Sequence, residues 1–399
     1  MDREALVRRN IALTNAYHRQ PLKHQLRQQL LNMLGALPIP TSKPIQNRLL
    51  LIRPDHLGDL LLTTPALHWL RQVKPDLQIH MLVGSWAADV LLENPDIDQV
   101  ITFPFPGFAK TEKANVQAPY MQLIQAARMI RQIGYSSAIV LRPDHWWGAL
   151  LAKLAGISHR IGYDLPETRR FLDQRVTWVN EHAVLQNTRL IARAVQQPMP
   201  EIADLALNLP ITATRREQIT HYLDQRGIDQ EKPLIIIHPG SGAASKLWNE
   251  DSWAWVGATL AEQLEGTLLF TGSDAEAQLI HRIQALTQQQ SYSLAGDTNV
   301  HTLAALYERA AIVLGPDSGP LHIAAAVKTP SVTLFGPADP AEFGAWGNPA
   351  RHAIITSTIG CRPCRILDWR GDDPENHPCV REITPAAVLE AARRVINAD

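Results

Sequence analysis

The sequence predicts an α/β protein built from two doubly wound domains, each a parallel sheet with helices on both faces. Three observations carry this. The chain has 399 residues, more than one hydrophobic core organises comfortably. From residue 48 onward, short apolar runs alternate with helical patterns, the signature of parallel strands joined by crossover helices. The alternation restarts after Pro210, so the same plan occurs twice.

Residues 1–47 read as a helical extension. Leu22, Leu26, Leu30 and Leu34 recur every four residues, with Leu31 and Met33 beside them, between Pro21 and Gly35. Its charge is lopsided: Arg3, Arg8, Arg9, Arg19, Lys23, Arg27 and Lys43 face only Asp2 and Glu4. Such a segment serves either as a helix packed on the first domain or as a basic amphipathic surface for anionic lipid.

The first cycle opens with the strand Arg48–Arg53 (RLLLIR), stopped by Pro54. A turn, Asp55-His56-Leu57-Gly58, leads into a helix expected over residues 59–73. Further strands are expected at 77–83, 100–103 and 137–141. The second cycle opens with a helix near 212–226 and the strand Leu234–Ile237. A helix near 251–264 follows, then strands at 267–270, 312–314 and 331–335. The last helix, near 385–397, is placed to cross back onto the first domain.

Composition sets limits on function. Apolar residues make up 45% and charged residues 19%, an ordinary globular balance. A net charge of -1 gives no chain-wide field for nucleic acid. Three cysteines, all near the C-terminus, do not make a disulfide framework, so a reducing compartment is expected. Residues 1–20 lack the apolar core of a signal peptide, and no run of about 20 apolar residues exists to span a membrane. A cytoplasmic protein is expected.

In open α/β sheets ligands bind beyond the carboxyl ends of the strands, and two such domains facing one another make a cleft. Three loops at strand ends therefore carry the functional reading. In Gly315-Pro316-Asp317-Ser318-Gly319-Pro320-Leu321-His322 a strand stops and a helix starts, so free N–H groups and the helix dipole favour a phosphate. Ser318 adds a hydroxyl, Gly319 permits close approach, and His322 follows one turn later; an ordinary cap and a core histidine are the alternative. In His238-Pro239-Gly240-Ser241-Gly242-Ala243-Ala244-Ser245-Lys246, small residues expose backbone donors and Lys246 supplies a point charge for phosphate, although the spacing is not that of a P-loop; a plain loop with a solvated lysine is the alternative. In Arg53-Pro54-Asp55-His56-Leu57-Gly58-Asp59, Asp59 is either a cap carboxylate or a general base.

Asp96-Ile97-Asp98 imitates a metal-binding Asp-x-Asp, but it follows Asn94-Pro95 and reads as a structural turn. Trp146-Trp147 reads first as core or lid packing, with the acceptor side as the other reading. Cys361-x-x-Cys364 with Cys379 supplies three of the four ligands of a tetrahedral zinc or iron site, and His377 or His352 would have to be the fourth.

These loops, in this order, resemble glycosyltransferase family 9, which includes the lipopolysaccharide heptosyltransferases. LLIRPDHLGDLLLTTPAL (50–67) looks like its opening motif. IIIHPGSGAASKLW (235–248) and LGPDSGPLHIAAAVKTPSVTLFGPADP (314–340) look like its donor-site motifs, and LAGISHRIGY (154–163) and LAGDTN (294–299) match further stretches. The resemblance covers roughly residues 48–398.

The resemblance implies a GT-B fold: an acceptor-side Rossmann-like domain (48–210) and a nucleotide-sugar-binding Rossmann-like domain (211–384) facing a central cleft, with the extension 1–47 and the helix 385–399 outside them. It implies an inverting transferase that needs no metal at the reacting centre and no cofactor. The implied donor is ADP-L-glycero-D-manno-heptose and the implied acceptor the inner core of lipopolysaccharide, a glycolipid. Peripheral contact with the inner face of the cytoplasmic membrane would fall to the basic segment 1–47. Asp59 falls on the family's proposed base. Lys246 falls on its phosphate- and sugar-contacting lysine, with Ser241 in the same loop. Asp317, Ser318, Gly319 and His322 fall on the diphosphate and sugar segment, and Asp274 where relatives place an acid near the ribose. The cysteine hairpin resembles one found in several branches of the family, with one of the usual four cysteines missing. The open alternatives are a same-fold transferase for another nucleotide sugar or for a protein acceptor, a nucleotide-sugar epimerase, and a non-catalytic sugar-binding protein.

Overall fold

The computed structural model describes residues 2–19, 22–108, 118–369 and 372–398. Pro21, and the side chains of residues 22–27 and of Leu34, lie outside that description, so most of the expected leucine stripe is not placed. Contacts divide the chain into two compact units: an N-terminal unit of residues 20–208, and a C-terminal unit of residues 209–399 together with 1–19.

In chain order the helices α1 (Arg3–Tyr17) and α2 (Leu22–Ala36) come first. Strand β1 (Arg48–Arg53) leads to α3 (Leu57–Leu61) and α4 (Thr64–Val73). Then follow β2 (Gln78–Val83), β3 (Gln99–Thr102), α5 (Ala118–Ile133), β4 (Ser137–Val140) and α6 (Trp146–Leu154). Strands β5 (His159–Tyr163) and β6 (Gln174–Val176) and helix α7 (Ala183–Val195) complete the N-terminal unit. The C-terminal unit continues with α8 (Ala213–Gln225), β7 (Leu234–Ile237), α9 (Glu250–Gln263), β8 (Thr267–Gly272), α10 (Ala277–Leu286) and β9 (Ser291–Ala295). It ends with α11 (Val300–Glu308), β10 (Ala310–Pro316), α12 (Gly319–Ala326), β11 (Ser331–Phe335), α13 (Pro340–Phe343), β12 (His352–Thr356) and α14 (Pro385–Ile396).

Each unit carries one parallel six-stranded sheet. The orders are β3-β2-β1-β4-β5-β6 and β12-β11-β10-β7-β8-β9. Both are the doubly wound order, in which the chain reverses direction across the sheet at one point, between β1 and β4 and between β7 and β10. The central strands are apolar on both faces because helices cover both. Leu50, Leu51 and Ile52 of β1 and Ile235, Ile236 and Ile237 of β7 are all fully buried.

Helix starts follow their caps. Thr212 accepts from the Arg215 N–H at the start of α8, Asn299 forms a reciprocal cap with Thr302 at α11, and Thr384 caps α14 just before Pro385. The single helix expected over 59–73 is two. Pro65 lacks an N–H and would clash with the carbonyl of Leu61, so α3 ends there and α4 starts afresh with Pro65 in its first turn.

Two expectations about the ends need correction. The extension 1–47 does not act as one piece. Helix α1 belongs to the C-terminal unit, tied by Arg3 to Glu382 at 3.0 Å and Arg9 to Asp372 at 2.7 Å, whereas α2 belongs to the N-terminal unit. Helix α14 does not cross back: Val388, Ala391, Ala392 and Val395 bury in the core of its own unit. Other sequence readings hold within the described residues. Asp98 of the Asp-x-Asp turn accepts the Ile79 N–H at 2.7 Å and pairs with Arg71, while Asp96 takes His68 and Asn208. Trp147 is a core residue whose indole N–H donates to the Pro119 carbonyl.

Candidate functional site

In the N-terminal unit the reversal point lies at the ends of β1 and β4. Pro54 ends the β1 ladder, and Asp55 and Asp59 follow on the turn and on α3. Asp59 caps nothing: the N-cap position is His56, whose side chain makes no cap bond. Instead the Asp59 carboxylate stands 3.4 Å from Nη2 of Arg53, the last residue of β1. Arg53 is itself buried, and its guanidinium is held at three other points. Nε pairs with Asp55 at 2.8 Å, and Nη1 donates to the Asn187 side chain at 3.0 Å and to the Leu141 carbonyl at 3.3 Å. Asn187, on α7, donates in turn to the Leu62 carbonyl at 3.0 Å, at the α3–α4 break. Arg142, beyond β4, pairs with the other oxygen of Asp55 and with Asp144, and its guanidinium lies 5.1 Å over the Phe108 ring.

The charges set the chemistry. Burial pushes the Asp59 carboxyl above the ordinary aspartate value, and the Asp55 charge pushes the same way against Arg53 and Arg142. Asp59 is therefore a stronger base than a free aspartate, with a side chain still partly open to solvent at 26%. Asp55 is held below the usual range: burial works to raise it, but Arg53 and Arg142 outweigh that.

In the C-terminal unit the reversal point lies between β7 and β10, where the two glycine-rich loops meet. Lys246 sits on a short 3-10 turn, Ala244–Lys246, in the loop after β7. Its ammonium pairs with Asp317 at 2.6 Å and donates to the Asp317 carbonyl at 3.2 Å. Both side chains are largely buried, at 14% and 7% exposure. An ammonium has three donors, so about one remains for a ligand. Ser318 stands at the N-cap of α12, but its hydroxyl makes no cap bond. That hydroxyl and Nδ1 of His322 are buried polar atoms with no partner among the described residues. Burial lowers the His322 pKa, and the charges of Asp317 and Lys246 both act on the ring. Orphaned buried groups of this kind mark a place where a ligand completes the hydrogen bonding. Gly319 opens α12, and Pro320 within its first turn supplies the fixed φ that suits a helix start. Ser241 lies half-buried in the same loop as Lys246.

Asp274 is placed differently from the others. It is exposed on the 3-10 turn Asp274–Glu276, and its carboxylate covers Gly296: a Cβ there would come within 1.8 Å of Oδ1. Glu276 is the acid that reaches the β7 loop. A Cβ on Gly240 would come within 1.8 Å of Glu276 Oε1, and its other oxygen accepts from the Ser273 N–H at 2.7 Å and stands 4.0 Å from His238. Sequence reasoning passed over Glu276, although Ser273-x-x-Glu276 has capping-box spacing. It also passed over Arg53, Asp55, Arg142 and Asn187. The first two stand inside the quoted motif, whereas Asn187 has no local signal.

Cys361, Cys364 and Cys379 are free thiols gathered round one small cavity with Asn10, Thr14, Trp369 and His377. Burial raises all three pKa values, that of Cys379 to about 12. His377 pairs through Nε2 with Asp372 at 2.9 Å and stacks on Trp369, and His352 bonds to Ser331 on β12. His377 lines the same cavity as the three thiols, and among the described residues no group of three His, Cys, Asp or Glu is arranged to hold a metal.

Comparison with known proteins bears on the fold and the family. Lipopolysaccharide heptosyltransferase 2 of Escherichia coli (strain K12) is 27% identical over 359 residues, covering 86% of this chain and 97% of that protein. A glycosyl transferase family 9 structure from Veillonella parvula DSM 2008 aligns with a TM-score of 0.71 at 21% identity, over 90% of this chain and 99% of that one. The structure of E. coli ADP-heptose lps heptosyltransferase II aligns with a TM-score of 0.68 at 21% identity, over 88% and 98%. The fold is theirs, GT-B, with two Rossmann-type units. The family model described as glycosyltransferase family 9 (heptosyltransferase) matches residues 123–368, from within α5 past the cysteine pair. With both glycine-rich loops inside that match, the chain belongs to glycosyltransferase family 9, and it is a glycosyltransferase.

Proposed function

We propose that the protein transfers a heptose from ADP-L-glycero-D-manno-heptose to the inner core of a lipopolysaccharide, with inversion at the anomeric carbon and without a metal ion. The observation that carries this is the cluster at the start of α12. A buried ammonium with a spare donor, an unpartnered Ser318 hydroxyl and an unpartnered His322 ring stand beside a helix N-terminus, as a diphosphate-linked sugar requires. The relatives named as lipopolysaccharide heptosyltransferases support the sugar and the acceptor.

In the proposed reaction an acceptor hydroxyl attacks the anomeric carbon. The new glycosidic C–O bond forms as the bond to the β-phosphate oxygen breaks, and attack from the opposite face inverts the centre. Asp59 takes the hydroxyl proton, a contribution of about 10²–10⁴-fold in rate. Charge gathers on the departing ADP, and Lys246 with the α12 N-terminus stabilises it in the role a metal ion plays elsewhere. Glu276 and Ser241, around the β7 loop, are assigned to the donor, with Asp274 at its margin. A glycolipid acceptor places the work at the inner face of the cytoplasmic membrane.

The test is calorimetric titration with ADP-heptose, ADP, UDP-sugars and GDP-sugars, with EDTA present throughout, followed by NMR of the product linkage. Micromolar binding of ADP-heptose and an inverted product are expected. Preference for a UDP- or GDP-sugar would overturn the donor, loss of turnover in EDTA the metal independence, and a retained configuration the single displacement.

A further inference from the structure

We infer that His238 is a positioning residue for donor binding: a buried chain of hydrogen bonds from Tyr307 through Thr271 puts its ring proton on Nε2, where it faces Glu276 and holds that carboxylate against the main chain of the β7 loop. The inference rests on the donor reading proposed above and adds to it the residue that sets the course of that loop.

His238 stands where the ends of β7, β8 and β10 meet. It is the first residue after β7, and its N–H donates to the Leu314 carbonyl of β10 at 2.8 Å. Gly315, which follows Leu314, lies against the His238 carbonyl, where an added Cβ would come within 2.6 Å. The side chain reaches the neighbour on the other side, β8. Its Nδ1 stands 3.2 Å from the Thr271 hydroxyl, and that hydroxyl stands 3.1 Å from the Tyr307 hydroxyl on α11. Thr271 and Tyr307 are fully buried, and the Tyr307 main-chain carbonyl accepts from the Thr329 hydroxyl at 2.6 Å.

The proton positions follow from this chain. Among the described residues the Tyr307 hydroxyl has one partner, Thr271, and burial raises its pKa, so it keeps its proton and donates it there. The Thr271 hydroxyl, having accepted from Tyr307, has its own proton for Nδ1 of His238. Burial lowers the His238 pKa against the pull of Glu276, so the ring is neutral, with Nδ1 as acceptor and its one proton on Nε2. The opposite order leaves the Tyr307 proton buried without an acceptor. Nε2 stands 4.0 Å from Glu276 Oε2, which already takes the Ser273 N–H at 2.7 Å and the Ser273 hydroxyl at 2.8 Å. An N–H dipole at that distance attracts a carboxylate without bonding to it, and the two side chains are largely out of water, at 8% and 22% exposure. The other oxygen of Glu276 lies against Gly240 and leaves no room for a Cβ there. Ser273 and His238 thus hold Glu276 together, and Glu276 sets the course of the main chain that leads to Ser241 and Lys246. With the tautomer reversed, a lone pair on Nε2 would face the carboxylate and repel it.

The ring is read first. Nitrogen NMR of the full-length protein, with the His238 signals identified by their loss in His238→Gln, should show the proton on Nε2; a proton on Nδ1 would overturn the inference. Binding is then measured by calorimetry with ADP, and turnover with ADP-heptose. His238→Asn keeps an acceptor where Nδ1 stood and loses the far N–H, so the ADP Kd and the ADP-heptose KM should rise about tenfold with kcat nearly unchanged. His238→Gln puts an amide nitrogen where Nε2 stood, and should bring both back to within about threefold of the unaltered protein although it gives up the Thr271 bond. Tyr307→Phe removes the donor that fixes the order of the chain, and should give a mixture of ring tautomers with an intermediate KM. Thermal unfolding of the same variants separates a structural role: if KM follows stability, so that Gln is no better than Asn, His238 only fills the core and the inference fails. Equal ADP affinity in all variants would overturn it as well. An unaltered protein that prefers a UDP- or GDP-sugar defeats the donor reading alone, and the same comparison is then made with that sugar.

Discussion

The Lys246–Asp317 pair allows a test in which structural and ligand-binding roles separate. Lys246→Ala removes the partner of a buried carboxylate 2.6 Å away. Breaking a buried pair from one side costs about 3 kcal/mol, because the other charge stays behind without compensation. The substitution also removes the one ammonium donor left for a phosphate. A charge-assisted hydrogen bond is worth about 1.5–3 kcal/mol, so ADP should bind about 10- to 100-fold more weakly. Asp317→Asn alone keeps the lysine, which still has the Asp317 main-chain carbonyl at 3.2 Å, and takes a negative charge away from the diphosphate. ADP binding should then be equal or tighter. The double variant decides. Stability, read by thermal unfolding, should return to within about 1 kcal/mol of the unaltered protein, because no buried charge is left unpaired. ADP affinity, read by calorimetry, should stay weak. If affinity recovers together with stability, Lys246 only neutralises Asp317, and the donor assignment fails.

Three further outcomes are expected. Asp59→Asn should lower kcat by about 10²–10⁴-fold while ADP-heptose binding stays within a factor of a few; loss of binding with kcat unchanged would remove Asp59 from catalysis. The Asp55 charge helps hold the Asp59 carboxyl up, and the base works only when ionised, so Asp55→Asn should move the acidic limb of the kcat/KM profile to lower pH. A limb that stays, or moves to higher pH, contradicts the coupling. His145 is buried against Phe105 and Phe108, and burial lowers its pKa to about 3. The unfolded chain takes up that proton near pH 6.5, so this stability is complete above pH 6.5 and lost as the pH falls towards 3. Between pH 7 and 4.5 the loss is about 3 kcal/mol, and His145→Gln should flatten that part of the denaturant-unfolding curve by a similar amount; an unchanged slope would mean His145 is not buried neutral.

How much of this was legible in the sequence depends on how local each cause is. Strands β1 and β7 were readable because a parallel strand covered on both faces has an apolar run at its centre, as LLLI of β1 and LIII of β7 do. The two glycine-rich loops after β7 and β10 were readable because glycine and proline punctuate a strand end. The α3–α4 break was present in Pro65 but passed over in favour of periodicity. The leucine pattern of α2 announced a helix but not which side faces the core; Leu31 took that place, and Leu30 and Met33 stayed in water. Asp274 and Glu276 stand two residues apart, and only the capping contact with Ser273 turns the second towards Gly240. Asn187 stood furthest out of reach. Its hold on Arg53 spans 134 positions, and nothing near it in sequence distinguishes it from any other helical asparagine.

The Arg53 network bears on how Asp59, proposed above as the base, keeps its basicity beside a buried arginine. A close pair with Arg53 would stabilise the Asp59 carboxylate and weaken it as a proton acceptor. The geometry commits Arg53 elsewhere. Its close ion pair, at 2.8 Å, is with Asp55, its Nη1 is occupied by Asn187 and the Leu141 carbonyl, and only a 3.4 Å contact is left for Asp59. Arg142 takes the second oxygen of Asp55, so the inner pair is satisfied without recruiting Asp59. Asp55 thus makes it possible to bury Arg53, Arg53 orients Asp59 without neutralising it, and burial and the Asp55 charge then raise its basicity. The order of the residues along β1 and its turn is what permits this. Arg53 ends the strand at the reversal point, Asp55 is near enough to fold back onto it, and Asp59, one turn of chain later on α3, can reach only the far nitrogen of the same guanidinium.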